Sequence, residues 1–446
     1  MKAGIGTADI TPDTGAHTSL YIGYRITEIV TPLRLKVCLL QDDGGEKAAI
    51  VSVETMCLYE RVIDDIRSRI AEAAGMAKSR IFLNATHTHS SPYLNRSVQE
   101  YLQPSGLQFL DADYYAKVLS AAERAAREAL SGLTDVRIKR SSAPVSGVAC
   151  NRRVKLPDGT IGTRYGRGVS AELRALPDGL IDPDVYCVWF VDDREKVVGS
   201  LLHYACHATS YNRYDHISWD YPGYAAADVE RELGGTCLFL QGCAGNISPG
   251  KYTVGEPLDD CIRLGRRVAE AAVSSYADAR YAKGDGLLVE CGKLPAELRI
   301  LHTKEALEKM LGEEIAKFRK ERELHPQRYG GADIVSLAAR IGLVERYPGL
   351  RMPAEAAAVK IADVLLVFLP GEMFIESALA LKKRFPETDA LIMAYGDASL
   401  EYIPTREAFN EKGGYETCEE WCFSAPGNAE ALESLAGGMM EKIICG

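Results

Sequence analysis

Two histidines one residue apart, His87 and His89, follow an apolar run in the segment FLNATHTHSSPY at residues 82–93. If the chain stays extended here, both side chains emerge on one face, with their Cα atoms roughly 6.5 Å apart. Imidazole serves as a metal ligand and as an acid–base group. The pattern leaves three alternatives: two ligands of one metal, one ligand beside one acid–base group, or two ordinary polar residues at a strand end.

Polar side chains of catalytic type follow other apolar runs as well. His207 follows GSLLHYAC, Glu372 follows VLLVFLPG, and the segment CAGNISP follows CLFLQG. In open α/β sheets, functional residues gather beyond the carboxyl ends of the strands. Three nitrogen or carboxylate ligands with an open position for water suit a hydrolytic zinc site, so His87, His207 and Glu372 form a candidate site of that kind. His203 lies inside its apolar run and is predicted to be a hydrogen-bonded core residue.

Alternating strands and helices must position these side chains. Apolar, β-branched runs such as AAIVSVET and RIFLNAT alternate with helical stretches, one from about Tyr59 to Ala74 and one through YYAKVLSAAERAAREAL. Gly75 is predicted to end the first of these helices. Later runs such as VYCVWFVDD are apolar throughout, as in strands covered on both faces. The sequence therefore predicts an α/β fold with a layered mixed sheet flanked by helices and a metal site at the strand C-terminal ends.

A charged helical stretch at about 297–351 interrupts this alternation. Its charges recur at three- and four-residue spacing, as on a solvated helix surface. No low-complexity linker or internal repeat divides the chain. We therefore predict one catalytic domain over residues 1–446, with a helical insertion at about 297–351.

Composition excludes several classes of function. The net charge is −10 and the basic residues are scattered, so no nucleic-acid partner is expected. No signal-like segment opens the chain and no run of about 18 apolar residues occurs, which predicts a cytoplasmic protein without a membrane span. Most of the twelve cysteines sit singly in apolar runs and are predicted to be reduced core residues. The expected partner is a small-molecule substrate, and the oligomeric state stays open.

Six motifs occur in the order found in the neutral/alkaline (non-lysosomal) ceramidases. They are GIGTADITP, NATHTHSSP, HATS followed by DYPGYAA, QGCAGNISPG, LPGE and GDASLEYIPTREAFNEKGGYE. The resemblance covers nearly the whole chain, and on it the chain is identified as a member of that superfamily. It implies one catalytic zinc ion with four protein ligands: His87, His207, Glu372 and Tyr402. Spacing alone would not have suggested Tyr402.

The resemblance also implies roles for residues that do not bind the metal. His89 would move protons, and Tyr415 would stabilise the oxyanion. Arg152, in CNRR, would donate to the polar head of the substrate. Asn246 and Ser248 would border the site as substrate contacts. Asp220 has two interpretations, either as a partner that orients a ligand histidine or as a surface loop acid.

Other features differ from the ceramidases. Those enzymes are longer, are secreted or membrane-associated, and carry a C-terminal immunoglobulin-like domain, which this chain is expected to lack. Ser91-Pro92-Tyr93 replaces their glycine-rich continuation after HTHS and predicts a different substrate. The resulting hypothesis is a zinc-dependent hydrolase that cleaves an amide or ester bond of a small soluble N-acyl-type substrate. The alternatives are the same zinc site acting on a sugar-derived or lactone substrate, and a non-catalytic zinc-binding scaffold.

Overall fold

Ten helices form within the computed structural model, which describes residues 1–17, 22–325 and 330–445. They are α1 Glu60–Ala74, α2 Arg96–Leu102, α3 Ala112–Ser131, α4 Ala171–Ala175, α5 Asp220–Leu233, α6 Pro257–Ser275, α7 Lys304–Leu324, α8 Ala332–Arg346, α9 Ile375–Arg384 and α10 Asn428–Cys445. The predicted end of α1 is confirmed, because Gly75 adopts φ 60° and its N–H donates to the carbonyl of Ala71. Among the described residues, no helix is both long and apolar enough to cross a membrane.

The strands range from two to eleven residues. They are β1 Lys2–Asp9, β2 Glu28–Ile29, β3 Arg34–Gln41, β4 Lys47–Val53, β5 Ile81–Ala85, β6 Thr134–Asp135, β7 Arg137–Pro144, β8 Cys150–Asn151, β9 Arg153–Lys155, β10 Thr160–Thr163, β11 Asp184–Val191, β12 Val197–Tyr204, β13 His216–Ile217, β14 Thr236–Gln241, β15 Ile247–Ser248, β16 Arg280–Tyr281, β17 Leu287–Glu297, β18 Arg351–Ile361, β19 Val364–Phe368, β20 Glu372–Met373, β21 Leu391–Met393, β22 Tyr402–Ile403 and β23 Lys412–Gly413.

Three mixed sheets contain the longer strands. The first has the order β5-β4-β3-β1-β6, the second β14-β12-β11-β7-β16, and the third β17-β18-β19-β21. Each sheet contains one parallel pair, which is β4 with β5, β12 with β14, or β19 with β21, and its other pairs are antiparallel. The predicted α/β class with mixed sheets is confirmed. The sequence did not show that the strands divide among three sheets.

Both faces of the central strands are buried. Along β11, Val188 and Phe190 enter a core formed between the sheets, while Cys187 and Trp189 enter the larger core that the helices cover. The same alternation holds in β3, β14 and β19. A strand buried on both faces needs apolar residues throughout, which accounts for the continuous apolar runs in the sequence. The twelve cysteine thiols are free, and nine of them are buried.

Asn84, near the end of β5, ties the ends of the three sheets together. Its side-chain amide donates to the carbonyl of Gln241, where β14 ends, and to the carbonyl of Ala394, just after β21. Its side-chain oxygen accepts the N–H of Gln241 at 2.7 Å. A fully hydrogen-bonded buried amide fixes its neighbours firmly, since each lost bond would leave an unsatisfied polar group. The carboxyl ends of the three parallel pairs are therefore held close together.

In the chain, helices α7 and α8 connect strands β17 and β18, which pair directly with each other. One side of α7 is buried through Leu307, Leu311, Ile315 and Phe318, while its charged residues are mostly exposed. That distribution agrees with the solvated surface predicted from the charge spacing. The single-domain organisation of residues 1–446 stays a prediction.

Glu54, just after β4, is a buried carboxyl group with an unusual titration. Burial outweighs the nearby charges of Lys36 and Arg34 and raises the pKa of Glu54 to about 7. The folded protein therefore binds this proton more tightly than the unfolded chain, so the free energy of unfolding falls as pH rises from about 4.5 to about 7. Glutamine loses no proton and can still accept the N–H of Arg34, which donates to the Glu54 carboxylate at 2.7 Å.

We expect Glu54→Gln to gain about 2 kcal/mol relative to wild type between about pH 5 and pH 8. Urea unfolding at both pH values measures the difference. Glu46→Gln is the control, because this side chain in the turn between β3 and β4 is 64% exposed. A difference between Glu54→Gln and wild type that stays constant across the pH range would contradict the assignment.

Candidate metal centre

His87 lies two residues beyond β5 in a backbone conformation that non-glycine residues seldom adopt. Its φ is 64°, and its N–H donates to the carbonyl of Thr55, which follows the neighbouring strand β4. The ring Nδ1 lies 2.7 Å from the carbonyl oxygen of Met56, and the side chain is fully buried. Because a carbonyl oxygen only accepts, Nδ1 carries the hydrogen, and Nε2 of the neutral ring faces the site as an acceptor.

His207 is held in the same manner from the second sheet. It lies three residues beyond β12, and its Nδ1 lies 2.6 Å from the carbonyl oxygen of Ala244. Tyr395 braces both ligand candidates: its ring centroid lies 4.3 Å from that of His87, and its hydroxyl oxygen lies 3.4 Å from Nδ1 of His207. Tyr395 is itself buried at φ 60°. Both histidines therefore have a fixed ring orientation and a fixed tautomer.

Glu372 and Tyr402 occupy matching positions in a two-stranded ladder. Strands β20 and β22 run parallel, with Glu372 paired with Tyr402. Paired residues of adjacent strands lie on the same face, so this short ladder brings together two residues that are 30 positions apart in the sequence. The Tyr402 ring stacks near that of His207, with centroids 6.4 Å apart and an interplanar angle of 20°.

Acceptor atoms converge at the centre of this arrangement. Oε2 of Glu372 lies 3.1 Å from Nε2 of His207 and 3.4 Å from Nε2 of His87. Neither Oε2 of Glu372 nor Nε2 of His207 has a hydrogen-bond partner, although both are buried. With the ring hydrogens on the Nδ1 atoms, lone pairs face one another, which is costly unless a cation lies between them. The donor set of imidazole, carboxylate and phenol oxygen fits zinc and other divalent transition metals.

Electrostatics favour the protonation state that a ligand histidine needs, but burial opposes ionisation of the tyrosine. Burial, with the charge of Arg152, lowers the pKa of His207 to about 3. Burial opposes ionisation of Glu372, whereas positive charge or a donated hydrogen at the neighbouring histidines lowers its pKa well below the usual range. With both rings neutral and their hydrogens on Nδ1, a bound cation would supply that positive charge instead. Burial raises the pKa of Tyr402 well above its usual value, and Arg152 opposes that rise. A neutral imidazole and an ionised carboxylate are the forms that bind divalent cations.

His89 joins the cluster but lacks the outer contact of the other two histidines. Its Nε2 lies 3.2 Å from Nε2 of His87, and the His87, His89 and His207 nitrogens are close enough to share one ion. However, Nδ1 of His89 is buried without a hydrogen-bond partner, whereas the Nδ1 atoms of His87 and His207 face carbonyl oxygens. The side chain is 5% exposed. These contacts favour a group that exchanges a proton over a third anchored ligand.

Arg152 forms the cationic side of the site. Its guanidinium is fully buried, donates from Nε to Glu416 at 2.8 Å, and bonds to the carbonyl of Gly245. Its central carbon lies 5.3 Å from the ring centroid of Tyr402 and 5.0 Å from that of Tyr415. Nη1 is buried and has no hydrogen-bond partner. A donor is therefore available beside both tyrosines.

Other residues singled out from the sequence have partners within the protein. Asn246 binds the carboxylate of Glu376 through Nδ2, and the hydroxyl of Ser248 donates to the carbonyl of Arg164. Both lie near the site, but these contacts are structural, and a substrate role for them stays a prediction. His203 is buried with Nε2 3.0 Å from the carbonyl oxygen of Ile392, which confirms its core assignment.

Both interpretations of Asp220 are wrong. Its carboxylate is fully buried, so it is not a surface loop acid, and it accepts the N–H groups of Tyr211 and Tyr221. The Nδ1 atoms of the two anchored histidines face backbone carbonyls instead of this carboxylate. Asp220 therefore shapes the start of α5, where its own φ is 52°.

Sequence reasoning missed Cys57 and the bracing role of Tyr395. The Cys57 sulfur lies 3.8 Å from Nδ1 of His87, and Cys57, His87 and Glu372 also place ligand atoms near one another. Cys57 follows β4 and Tyr395 follows β21, so both stand beyond carboxyl ends of parallel strands. The strand-end rule that identified His87 applied equally to them.

The chain is similar to known proteins in both sequence and fold. Residues 1–255 match the family model for the N-terminal part of the neutral/alkaline non-lysosomal ceramidases. A neutral ceramidase of Pseudomonas aeruginosa is 27% identical over 265 residues, which are 56% of this chain and 37% of that protein. A neutral ceramidase of Drosophila melanogaster is 25% identical over 240 residues, which are 52% of this chain and 32% of that protein. The matched region thus spans about a third of the length of these relatives.

Solved structures agree in fold. The crystal structure of the neutral ceramidase from Pseudomonas aeruginosa gives a TM-score of 0.72 at 18% identity and covers 99% of this chain and 74% of that one. A ceramidase complexed with C2 gives a TM-score of 0.72 at 17% identity, with 99% and 75% covered. At these identities the likeness establishes the fold.

Proposed function

The chain belongs to the neutral/alkaline non-lysosomal ceramidase family, and from this membership we propose that it is a zinc-dependent hydrolase of an amide or ester bond. Its proposed substrate is a small soluble N-acyl compound. The observation that carries the proposal is the convergence of unpartnered acceptors from Glu372 and His207 beside His87. Relatives of this chain are named neutral ceramidases, and this name supports an amide as the scissile bond.

His87, His207, Glu372 and Tyr402 would hold the metal. When bound, zinc supplies a Lewis acid that activates water and polarises a carbonyl group. The backbone carbonyls of Met56 and Ala244 orient the two imidazoles toward the ion. The charge of Arg152 beside Tyr402 stabilises the phenolate form that a ligand tyrosine needs.

The remaining side chains would act on the substrate. Nε2 of His89 would take a proton from the attacking water and return it to the leaving group, since the ring is neutral and stands at the edge of the ligand cluster. The unpartnered Nη1 of Arg152 and the phenol of Tyr415 would stabilise negative charge on the carbonyl oxygen. Burial increases the strength of these interactions.

A non-catalytic scaffold is the weaker candidate. A structural zinc site needs only its ligands, and it gives no reason for an unanchored histidine and a buried arginine with a free N–H beside the ion. A soluble substrate is proposed in preference to ceramide because Ser91-Pro92-Tyr93 changes the loop after the two histidines. A cytoplasmic location likewise stays a prediction.

Metal removal tests this proposal directly. Treatment with a chelator is expected to lower kcat/KM by about 100-fold or more. Added zinc should restore it while magnesium should not, because two of the four donors are imidazole nitrogens and magnesium prefers oxygen ligands. Hydrolysis would be followed on short N-acyl amides, matched esters, lactones and a short-chain ceramide, with metal content determined by mass spectrometry. Full activity in metal-free protein would contradict zinc dependence, and no turnover of the panel by zinc-loaded protein would favour the scaffold.

A further inference from the structure

Arg153, the first residue of β9, binds both ends of a short segment beside the candidate metal centre. Its Nη2 donates to the carboxylate of Glu411 at 2.8 Å, and its Nη1 donates to the carboxylate of Glu416 at 2.7 Å. We call residues 411–416, which contain β23, the clamped segment. The Arg153 side chain is 5% exposed, and hydrogen bonds between charged groups are stronger where water is excluded. One guanidinium therefore fixes both ends of this segment.

The carboxylate of Glu416 connects Arg153 to the proposed catalytic groups. Its Oε1 accepts a hydrogen bond from Nε of Arg152 at 2.8 Å, while its Oε2 accepts the one from Arg153. Glu416 and Arg152 are both fully buried. Removal of Arg153 would leave Oε2 of a buried carboxylate without this donor, which costs free energy. The closed position of the clamped segment therefore depends on Arg153.

Tyr415, which directly precedes Glu416, has no hydrogen bond of its own to fix its phenol. Its hydroxyl is buried without a hydrogen-bond partner. Its ring centroid lies 5.8 Å from that of Tyr402 and 6.0 Å from that of Tyr165. The direction of the phenol is therefore set by ring packing and by the backbone of the clamped segment.

Two glycines make that backbone dependent on Arg153. Gly413 and Gly414 have φ values of 90° and 79°, which glycine adopts readily. A Cβ atom at Gly414 would overlap Nη1 of Arg153, so the guanidinium lies directly against the backbone just before Tyr415. The pairing of β23 with β10 joins two residues of each strand. Because glycine also gives a free chain many conformations, so short a ladder holds this segment weakly without the arginine.

We propose that Arg153 is a positioning residue that holds the phenol of Tyr415 at the metal centre by binding both ends of the clamped segment. This inference rests on the proposed function, because it assumes that Tyr415 stabilises negative charge on the carbonyl oxygen. A shift of about 1 Å in a catalytic group can lower a rate about 100-fold. Arginine suits this role, since its planar group presents several N–H donors in a fixed geometry and can bind two carboxylates at once.

A double-mutant cycle with Tyr415→Phe tests whether Arg153 acts through the phenol. The probe is 4-nitrophenyl acetate, and its turnover by zinc-loaded protein is corrected for that by metal-free protein. Arg153→Met should lower kcat about 10- to 100-fold and change KM less than about threefold. In protein that already carries Tyr415→Phe, it should lower kcat less than about threefold further, because no phenol is left to position. Arg153→Lys should recover part of the loss.

Hydrogen exchange followed by mass spectrometry tests the clamp without any reaction. The N–H groups of the clamped segment should exchange about tenfold faster in Arg153→Met than in wild type. Glu411→Gln, at a partly exposed position, should cause a smaller change of the same sign, and it keeps the test available if Arg153→Met does not fold. Arg340→Met is the matched control, because this buried arginine donates to Glu419 at 2.7 Å, outside the segment. It should alter neither this exchange nor kcat.

The two measurements separate the clamp from the reaction. Faster exchange with no turnover by zinc-loaded wild type would support the clamp and contradict both the proposed function and a catalytic purpose for Arg153. Unchanged exchange in Arg153→Met and Glu411→Gln would overturn the clamp. Equal losses of kcat from Arg153→Met with and without Tyr415→Phe, a change in KM alone, or full activity in Tyr415→Phe would overturn the positioning role and leave zinc-dependent hydrolysis intact.

Discussion

Replacement of His87 by alanine or of Glu372 by glutamine is expected to abolish metal binding and lower kcat/KM by about 1,000-fold or more. The two side chains come from different sheets and contribute facing acceptors, with Nε2 of His87 3.4 Å from Oε2 of Glu372. Removal of either leaves an incomplete donor set. Mass spectrometry of the native protein gives the metal content, which should fall from about one ion per chain to a small fraction.

The half-buried Glu376 and the buried His203 provide matched controls for this experiment. Glu376→Gln alters a carboxylate four residues after Glu372 that binds the amide of Asn246, and His203→Gln alters a core histidine that faces a carbonyl. Both variants should retain the metal. Full metal content in His87→Ala would remove that residue from the ligand set.

Thermal unfolding of metal-free samples distinguishes ligand loss from misfolding. Without an ion, Oε2 of Glu372 and Nε2 of His207 are acceptors only 3.1 Å apart. Glutamine can donate to that nitrogen, so metal-free Glu372→Gln should be at least as stable as metal-free wild type. A much lower midpoint would mean that the carboxylate is needed for folding and would invalidate the variant as a test of metal binding.

Local patterns predicted the elements of the fold well, while their division among sheets depended on distant contacts. The apolar strands and the helix end at Gly75 follow from composition and from one residue in the left-handed region. The two-residue ladder of β20 and β22 has too little sequence for any periodic signal. Backbone bonds between distant segments adjoin it, from the N–H of Gly371 to the carbonyl of Asp397 and from the N–H of Tyr395 to the carbonyl of Gly371, and no local pattern encodes them.

The residues of the candidate site also divide into those that local sequence patterns identify and those whose positions depend on distant contacts. His87, His207 and Glu372 were identified because polar residues follow apolar strands, and the structure brings all three together. Tyr402 was placed only by the family motif, since its position depends on the ladder with Glu372. Cys57 was missed because buried cysteines usually pack as small apolar residues.

Backbone strain marks the site in a manner that sequence does not reveal. His87, Tyr395 and Glu401 have φ values of 64°, 60° and 52°, although none is a glycine. His87 and Tyr395 follow the ends of β5 and β21, and Glu401 directly precedes β22. Glu401 accepts hydrogen bonds from the hydroxyls of Tyr59 and Tyr93. Such conformations persist when surrounding contacts over-determine them, and they are common at functional sites. The fold thus uses part of its stability to fix the direction of these side chains.

His89→Ala and His89→Gln are expected to retain about one metal ion per chain and to lose about 100- to 10,000-fold in kcat. His87 and His207 each face a backbone carbonyl through Nδ1, whereas Nδ1 of His89 is buried without a partner. A ligand histidine almost always has such an outer partner, so the ion should be held without His89. Metal content and steady-state kinetics on the same samples test both halves of this expectation.

The pH profile identifies the role of His89 more sharply than the loss of rate does. If the His89 ring exchanges a proton in the rate-limiting step, the rate of His89→Gln should depend less on pH than the wild-type rate. Small imidazole-like bases in solution should also restore part of the lost activity to His89→Ala. His302→Ala is the control, since this exposed histidine faces Glu419 at the surface. Loss of the metal from both His89 variants would instead make His89 a third histidine ligand. The proton would then have to move through another group, and Tyr415 beside Arg152 is the nearest alternative.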